Sequence, residues 1–413
     1  MWKLELASLE VHSMYYKDSS ETVPPSIEER EYALYVIEQA YKSVRSHLPP
    51  DFLEYSHFQR VLYRLDRQSS PGYPFCSAAT TIGDWLKFDG TLYDDYQCKK
   101  LWFNVNQLID GDAEDVIFSV FIKDEAHKPQ KLEQKRCRLI VASPLHFQVL
   151  WHMLFDVLND AEIEKCLEIP SQQGISLSNG NWKLFYNLWK SRGYDVGLDK
   201  TAWDWTVTGW KLDMDLEIRN RLTCGPRKQE WYRLSRLMYD KAFKDPILML
   251  SNGLLFRQLY PGIMKSGLVN TISTNSHLQV VDHIIVCKRN GFPIHPLPVT
   301  CGDDTLQREE QVDVVEYRKL GAVIKSASSG LEFVGHDFAD SGPIPLYLDK
   351  HLYNVCHLEN NEELITQYLD AMCRLYVNSP VYVVWERLAG LLGIEHSLMS
   401  HSYYWYWYHY NSG

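Results

Sequence analysis

Two neighbouring acids, Asp303 and Asp304, stand in the segment Cys301-Gly302-Asp303-Asp304 between two apolar arms. Adjacent side chains of a regular strand point to opposite faces, so two such carboxylates serve one site only where the backbone turns. Gly302 is the residue type that permits a tight turn. Carboxylate oxygens at a fixed turn suit Mg²⁺. The alternative is a solvated turn, since Gly-Asp pairs are common in turns.

A second pair of acids, Asp199 and Asp204, follows a predicted strand over 194–199. Asp199 stands where this strand ends, and Asp204 lies five residues later in the following turn. Together with the hairpin acids, Asp199 would complete a site for two metal ions that hold a phosphoryl group during in-line displacement. The alternative is a strand-end acid followed by a helix N-cap at Asp204.

Small polar residues fill the segment Ser266–Asn275 between the two acidic regions. Gly267 frees the backbone for a loop. Thr271 and Asn275 are four residues apart and therefore share one face of a helix. Hydroxyl and amide groups in this arrangement could bond a ribose hydroxyl. A polar-faced surface helix is the alternative.

Residues 121–141 hold a concentration of basic side chains with a net charge of +3. Arg136 and Arg138 alternate on a predicted strand, which points them one way and leaves Cys137 on the other face. Two guanidinium groups so placed suit bidentate contacts to a triphosphate. The alternative is a solvated charged loop.

The elements predicted around these residues mix helices and strands without a regular βαβ rhythm, which indicates an α+β fold. Helices are predicted over 26–47 (with Ser26 as N-cap), 147–167, 207–222, 227–244 and 311–321. Strands are predicted over 194–199, 330–336 and 345–348, and strand–turn–strand over 297–309. The chain after about residue 360 is predicted to be mainly helical until an aromatic tail at 402–410.

Length and composition set outer limits on the interpretation. A chain of 413 residues predicts two or three subdomains. The net charge of −11 argues against a broad basic surface for nucleic acid, but an enzyme that encloses nucleic acid needs only a basic channel. Nine cysteines without a CxxC pair give no support for zinc and favour a reduced compartment. Neither a signal peptide nor a membrane-spanning run is predicted.

The order of these motifs is more informative than any one of them. KDE…RCRLI, DKTAWD, SGLVNTISTN, CGDD and a lysine near 325 follow one another. This series resembles the motif order of positive-strand RNA virus RNA-dependent RNA polymerases, over about residues 70–340. Residues 135–143 look like the fingertip motif, 70–74 like the loop at which the template enters, and 331–336 like the primer-grip hairpin. Within the picornavirus-like supergroup, the chain looks most like sobemovirus and polerovirus replicases.

The resemblance implies a right-hand fold with an antiparallel palm sheet flanked by helices. It divides the chain into fingers (1–193, with fingertips at 121–141), palm (194–222), a fingers insertion (223–261), palm (262–346), and thumb with C-terminal tail (347–413).

The resemblance also implies roles for single residues. Catalysis would involve Asp199, Asp303, Asp304 and Lys325, with two Mg²⁺ ions on the three aspartates and Mn²⁺ as a substitute. The nucleotide would be held by Lys123, Arg136, Arg138, Asp204, Ser266, Gly267, Thr271 and Asn275. Template and primer would meet Ser70, Gly72, Pro74 and Phe333.

The implied function is the copying of a viral RNA genome from ribonucleoside triphosphates. The implied partners are template and nascent RNA, nucleotides, and a viral protein primer or other replicase proteins. The implied place is the host cytoplasm, in replication complexes attached to membranes through partners. Two alternatives stay open: a reverse transcriptase, which would carry a bulky aromatic at position 204, and a non-catalytic RNA-binding scaffold, which would not need the intact acids.

The aromatic tail allows two interpretations. Its residues 402–410 include seven aromatics and no Asp, Glu, Lys or Arg. Such a segment should be buried, because an exposed aromatic strip favours aggregation. It could be a structural strap on the thumb or fingers, or it could reach the cleft and stack under the first nucleotide.

Overall fold

A computed structural model of the chain describes residues 1–111 and 115–410, in which helices predominate. The helices are α1 (Trp2–Ser20), α2 (Ile27–Ala40), α3 (Tyr55–Leu62), α4 (Ile82–Trp85), α5 (Asp95–Asp110), α6 (Pro129–Glu133), α7 (Leu145–Glu164), α8 (Trp182–Ser191), α9 (Trp203–Thr206), α10 (Gly209–Leu222), α11 (Lys228–Phe243), α12 (Thr271–Asn290), α13 (Val314–Lys319), α14 (Leu348–Cys356), α15 (Glu362–Leu375), α16 (Val383–Leu392) and α17 (His401–His409). The strands are β1 (Ser46–His47), β2 (Ile117–Ile122), β3 (Leu139–Ala142), β4 (Val196–Lys200), β5 (Thr223–Cys224), β6 (Ile247–Leu250), β7 (Leu255–Arg257), β8 (Val299–Cys301), β9 (Asp304–Gln307), β10 (Ile324–Ser329), β11 (Glu332–Phe333), β12 (His336–Ala339) and β13 (Gly342–Pro345).

The acidic segments lie on one four-stranded antiparallel sheet, in the order β10-β4-β9-β8. Helices pack on both faces of this sheet at β8 and β9. The long helix α12 packs along β8. On the other side, Val299 and Leu306 share a core with Trp189 of α8. The predicted α+β class, with an antiparallel sheet flanked by helices, is confirmed.

A second four-stranded sheet, in the order β3-β2-β6-β7, joins two distant parts of the chain. On β2, Phe118 and Val120 alternate with half-buried residues, and Phe118 packs against Phe147 of α7 with ring centroids 5.5 Å apart. The sheet therefore unites 117–142 with 247–257, two segments that the sequence assigns to the fingers. The subdomain boundaries themselves stay predictions.

The high aromatic content goes largely into the cores. The four largest fully buried side chains are Trp151, Trp189, Trp231 and Trp385. Trp151 stacks on Tyr239 with centroids 5.3 Å apart. Aromatic side chains bury large areas, so they stabilise the junctions between helices that short aliphatic residues would not fill.

Helix α2 begins at the predicted residue but ends earlier than predicted. The Ser26 side chain accepts a hydrogen bond from the Glu29 backbone, and the Glu29 carboxylate accepts one from the Ser26 backbone, which together form a capping box. The helix ends at Ala40 rather than near 47. Residues 46–47 instead form β1, which pairs with β5 and so cannot remain helical.

Two strand predictions are wrong. Residues 345–348 are not a strand, because β13 ends at Pro345 and α14 begins at Leu348. Residues 136–138 precede β3, which begins at Leu139. Lys135, just after α6, has a left-handed backbone (φ 53°), so the chain reverses there before it can extend.

The aromatic tail is a helix, α17, whose first turn is capped by Ser400. Tyr404 and Tyr408, one turn apart, are buried. The Tyr404 hydroxyl donates to Asp370 of α15 (2.7 Å). At the other end, the Tyr408 carbonyl accepts from the Gly180 backbone (2.9 Å) and the His409 carbonyl from Lys183 Nζ (3.1 Å). The tail thus ties α15 to the start of α8, as a strap would.

Candidate active site

The turn between β8 and β9 is built to present two acids. Cys301 pairs with Asp304 across the hairpin, which leaves Gly302 and Asp303 as the two turn residues. Gly302 has φ 64°, a left-handed conformation that favours glycine. Its backbone N–H donates to Ser276 Oγ of α12 at 2.9 Å. The turn is therefore fixed to a neighbouring helix.

The acids of this turn lie beside Asp199 at the end of β4. The last pair of the β4–β9 ladder is Leu198 with Thr305, so the strands bring Asp199 next to Asp304. Burial, followed by repulsion from Asp303 and Asp199, raises the pKa of Asp304 to about 6. Burial is also the main reason that the pKa of Asp303 is raised. The structure thus brings the three predicted metal ligands into mutual electrostatic range.

Lys325 of β10 reaches the same place. Its Nζ lies 2.5 Å from Asp199 Oδ2, and both side chains are partly exposed. The predicted catalytic lysine is therefore in direct contact with one of the predicted metal ligands.

Lys200, which the sequence analysis overlooked, lies beneath the acids. It is buried, and its Nζ donates to Thr305 Oγ1 (2.8 Å) and to the Asp303 carbonyl (3.3 Å). Burial lowers its pKa to about 8, although four surrounding carboxylates, led by that of Asp303, oppose the shift. The only signal in the sequence was its position, since the side chain after Asp199 must point to the opposite face of β4.

The acid cluster fits a divalent cation by chemistry. Its donors are hard carboxylate oxygens, and like-charge repulsion contributes to the raised pKa of Asp304. A cation would offset that negative charge. Within residues 1–111 and 115–410, however, no three Asp, Glu, His or Cys side chains already stand close enough to enclose one ion. Asp199 is bonded to Lys325 instead.

Asp204, in the single turn of α9, faces two of the predicted ribose-binding residues. Its carboxylate accepts hydrogen bonds from Ser266 Oγ and from Asn275 Nδ2 (2.8 Å). Burial raises the pKa of Asp204, and these two hydrogen bonds oppose the shift. Asn275 Oδ1 is buried and accepts no hydrogen bond from the residues that the structure describes. The pair therefore offers one carbonyl oxygen without a partner.

Gly267 and Thr271 shape the loop instead. A Cβ at Gly267 would lie 2.7 Å from the Val141 carbonyl, so glycine is what allows the loop to approach β3. Thr271 Oγ1 donates to the Lys265 and Leu268 carbonyls, at 3.1 and 2.7 Å. Its hydroxyl is thus engaged within the loop.

Glu125 is the centre of the basic segment, because its carboxylate contacts three of the surrounding cations. Its carboxylate lies 3.0 Å from Arg138 Nη1, 3.2 Å from Lys123 Nζ and 3.7 Å from Lys350 Nζ of α14. Arg136 is not part of this group, since its guanidinium lies over the Tyr15 ring, 5.5 Å from the centroid. The predicted strand with both arginines on one face is therefore replaced by a loop that separates them.

The predicted template residues occupy a loop that docks on α7. A Cβ at Gly72 would lie 2.6 Å from the Ser143 carbonyl, and the Leu145 N–H donates to the Pro71 carbonyl at 2.8 Å. Ser70 and Pro74, on either side of Gly72, are exposed.

Phe333 is different from the other predicted template and primer residues. It is buried against Trp189, with ring centroids 5.4 Å apart. Its side chain therefore presents no surface to an RNA strand.

No helix in the described part of the chain has both the length and the apolar character needed to cross a membrane.

Comparison with known proteins gives the chain its family. The sequence profile described as "Viral RNA-dependent RNA polymerase" matches residues 38–306. Protein P1-P2 of Potato leafroll virus is 33% identical over 273 residues, which cover 61% of this chain and 25% of that protein. The RNA-directed RNA polymerase of Mushroom bacilliform virus is 28% identical over 322 residues, which cover 71% of this chain and 75% of that one. The chain spans about a quarter to a third of the length of the first curated relatives that it matches.

The fold has a solved counterpart. The Sicinivirus 3Dpol RNA-dependent RNA polymerase aligns over 93% of this chain and 86% of its own, with a TM-score of 0.70 and 15% sequence identity. The predicted right-hand fold and the predicted likeness to polerovirus and sobemovirus replicases are both confirmed. The family profile covers well over half of the residues. The chain belongs to the viral RNA-dependent RNA polymerase family.

Proposed function

We propose that this chain performs template-directed transfer of nucleotides from ribonucleoside triphosphates to an RNA 3′-OH, and so replicates a viral RNA genome. The observation that carries the proposal is the convergence of Asp199, Asp303 and Asp304 beside the Asp204–Asn275 pair. Acids that could bind metal and a group that could read ribose then lie close together, since, after burial, the charge of Asp303 contributes to the raised pKa of Asp204.

Asp199, Asp303 and Asp304 would hold two divalent cations, Mg²⁺ or Mn²⁺. When bound, such ions lower the pKa of an attacking hydroxyl and offset charge on a leaving pyrophosphate. The protein's own part is to bring the acids together. Strand β4 fixes Asp199 and the turn between β8 and β9 fixes Asp303, while the buried Lys200 donates a hydrogen bond to the Asp303 carbonyl in that turn.

Lys325 would supply a proton to the leaving group. Its Nζ contacts Asp199, which would be one of the metal ligands, so the lysine would lie beside the reacting phosphates. Arg138 and Lys123, now on Glu125, would exchange that carboxylate for the triphosphate, which offers more negative charge and more acceptor oxygens.

Ribose selection would rest on Asn275. Its buried Oδ1 accepts no hydrogen bond from residues 1–111 and 115–410, and a 2′-OH could supply one. A site with a polar group that only ribose satisfies discriminates strongly against deoxyribose. This arrangement, with an acid rather than a large aromatic at 204, favours RNA synthesis over reverse transcription.

The surroundings of the enzyme also belong to the proposal. Similar proteins include "Protein P1-P2" and "Replicase polyprotein P2AB", which are longer than this chain. We propose that template and nascent RNA, nucleotides, and a protein primer or other replicase proteins are its partners. Its place would be the host cytoplasm, at membranes reached through those partners.

The test is incorporation of labelled UTP on primed poly(A) with Mg²⁺ or Mn²⁺. Wild type should extend the primer, and Asp303→Ala should lose synthesis by several orders of magnitude while retaining RNA binding, because phosphate contacts dominate affinity. Asp340→Asn is the matched control, since that exposed acid bonds Lys190 and Tyr186, neither of which is a predicted site residue. Near-normal synthesis by Asp303→Ala would refute the assignment.

A further inference from the structure

Helix α12 makes contacts of three kinds within its first two turns. Asn275 donates to Asp204, as described above. The next residue, Ser276, faces the catalytic turn and is fully buried. Residues on either side of this pair, among them His277, enter a buried ionic network. One short stretch of helix therefore meets the nucleotide-binding groups, the catalytic turn and the core.

Ser276 and the catalytic hairpin exchange two hydrogen bonds. Ser276 Oγ accepts from the Gly302 backbone N–H at 2.9 Å, and Thr300 Oγ1 donates to the Ser276 carbonyl at 3.2 Å. Gly302 is a turn residue, so the antiparallel ladder offers its N–H no partner. The N–H is partly buried in a fixed turn, so its exchange with solvent is restricted and an acceptor within the protein stabilises the turn. The Ser276 hydroxyl is that acceptor.

The network around Ser276 makes it a rigid reference point. Arg219 of α10 donates to Ser273 Oγ (2.7 Å) and Thr274 Oγ1 (3.2 Å). His277 lies 2.6 Å from Asp215 Oδ1 and 2.8 Å from Glu162 Oε1. The side chains of Arg219, Asp215, His277 and Glu162 have no exposed surface, and a buried network of charged hydrogen bonds is stiff.

We propose that Ser276 is a positioning residue for the catalytic turn. Its hydroxyl fixes Gly302 against α12 and thereby sets the direction in which the Asp303 carboxylate points. Ser276 touches no group that we assign to the nucleotide, so it acts on the chemical step and not on nucleotide binding. The proposal rests on the proposed function for its kinetic consequence, but not for the hydrogen bond itself.

The kinetic test uses single-nucleotide extension of a primed template by the full chain. Ser276→Ala should lower kcat about tenfold, the order of effect expected when one hydrogen bond to a partly buried N–H is lost. The KM for UTP and the preference for UTP over dUTP should stay within twofold of wild type. Ser276→Thr retains the acceptor and should restore most of kcat. Ser235→Ala is the control, because Ser235 is a fully buried serine on α11, away from the turn.

Hydrogen exchange tests the same bond without any activity. The Gly302 amide should exchange at least tenfold faster in Ser276→Ala and remain protected in Ser235→Ala. Thr300→Val, which removes the reciprocal bond, should shift both readouts in the same direction by less, and it serves as the second variant if Ser276→Ala does not fold.

The proposal would be overturned by unchanged Gly302 exchange. It would also be overturned by a kcat loss that comes with an equal rise in KM or a changed sugar preference, since these indicate general damage. If wild type itself extends no primer, the proposed function fails, and the exchange measurement alone then decides whether Ser276 holds the turn.

Discussion

Asp204 has two side-chain partners, and only one of them is on α12. Asn275→Ala would remove the 2.8 Å bond and leave the Asp204 carboxylate to Ser266 alone. The preference for ribonucleotides over deoxyribonucleotides, measured as a ratio of kcat/KM values, should then fall about tenfold or more. Asn290→Ala, at the far end of the same helix, is the control. An unchanged ratio would remove Asn275 from sugar selection.

Alanine variants of Arg138 and Arg136 provide a matched test of triphosphate binding. Burial raises the pKa of Asp204 and Asp303, and the charge of the exposed Arg138 partly opposes both shifts, so Arg138 lies within electrostatic range of these acids. Arg138→Ala should raise the KM for nucleotides about tenfold and lower kcat, because a charge-assisted contact is lost in both the ground and transition states. Arg136→Ala should do much less. A normal nucleotide KM with weaker template binding would assign Arg138 to the RNA backbone.

The residue types and the order of the motifs indicated which residues could do chemistry, but not which other residues hold them in place. The acids, Lys325 and the Asp204–Asn275 pair lie where the motifs indicate. The motifs do not indicate three supporting residues, Glu125, Lys200 and Ser276. Their partners lie on other elements, and two of these partners, Lys350 and Thr305, are more than a hundred residues away in sequence. A sequence motif indicates residues that could contact substrate, but it does not indicate the side chains that position those residues.

At the scale of elements, the joint between α7, α10 and α12 is charged and completely buried. Burial alone would lower the pKa of His277, but Glu162 and Asp215 raise it to about 9. Arg219, Tyr239 and the Tyr41 ring complete its surroundings. The folded protein thus retains a proton that the unfolded chain releases at a lower pH.

This difference predicts a pH-dependent stability. A folded pKa above the ordinary 6.5 gives a contribution that is complete below about pH 6.5 and lost as the pH rises through about 9. The contribution is about 3 kcal/mol. Urea unfolding of the wild type should therefore show a decline over this window that His277→Gln lacks, with the variant less stable at pH 6. Parallel pH profiles for the two proteins would contradict the assignment.

Element boundaries were harder to predict than element types. Three helices, α7, α10 and α11, begin within two residues of the predicted positions, because their apolar pattern repeats over many residues. The strand predicted at 136–138 failed because the left-handed Lys135 and the docking of Arg136 on Tyr15 are tertiary effects. The tail has no alternation of polar and apolar residues that would predict a helix. Its helical conformation is explained by its contacts with the residues on which it packs.

For the whole molecule, α17 connects regions that are far apart in sequence. Its contacts with Asp370, Gly180 and Lys183 include none of the predicted catalytic residues. A chain truncated after His401 should melt several degrees lower, because two buried tyrosines and their hydrogen bonds are lost. Primer-independent and primed synthesis should weaken together. Tyr406→Ala, at an exposed position of the helix, is the control. Selective loss of primer-independent initiation would favour a priming platform instead.

The strand order of the catalytic sheet has a consequence for synthesis of the protein itself. Strand β4 leaves the ribosome long before its two neighbours in the sheet. Val196 of β4 pairs with Gln307 of β9 on one edge and with Ser329 of β10 on the other. At ~5–20 residues per second, a ribosome needs ~6–25 s to deliver both neighbours. Throughout that interval β4, which is largely buried in the folded protein, has two open edges, which is the condition in which nascent chains recruit chaperones or aggregate. A chain that ends between residues 308 and 323 contains Asp199, Asp303 and Asp304 but lacks β10, so it cannot complete the β10-β4-β9-β8 sheet.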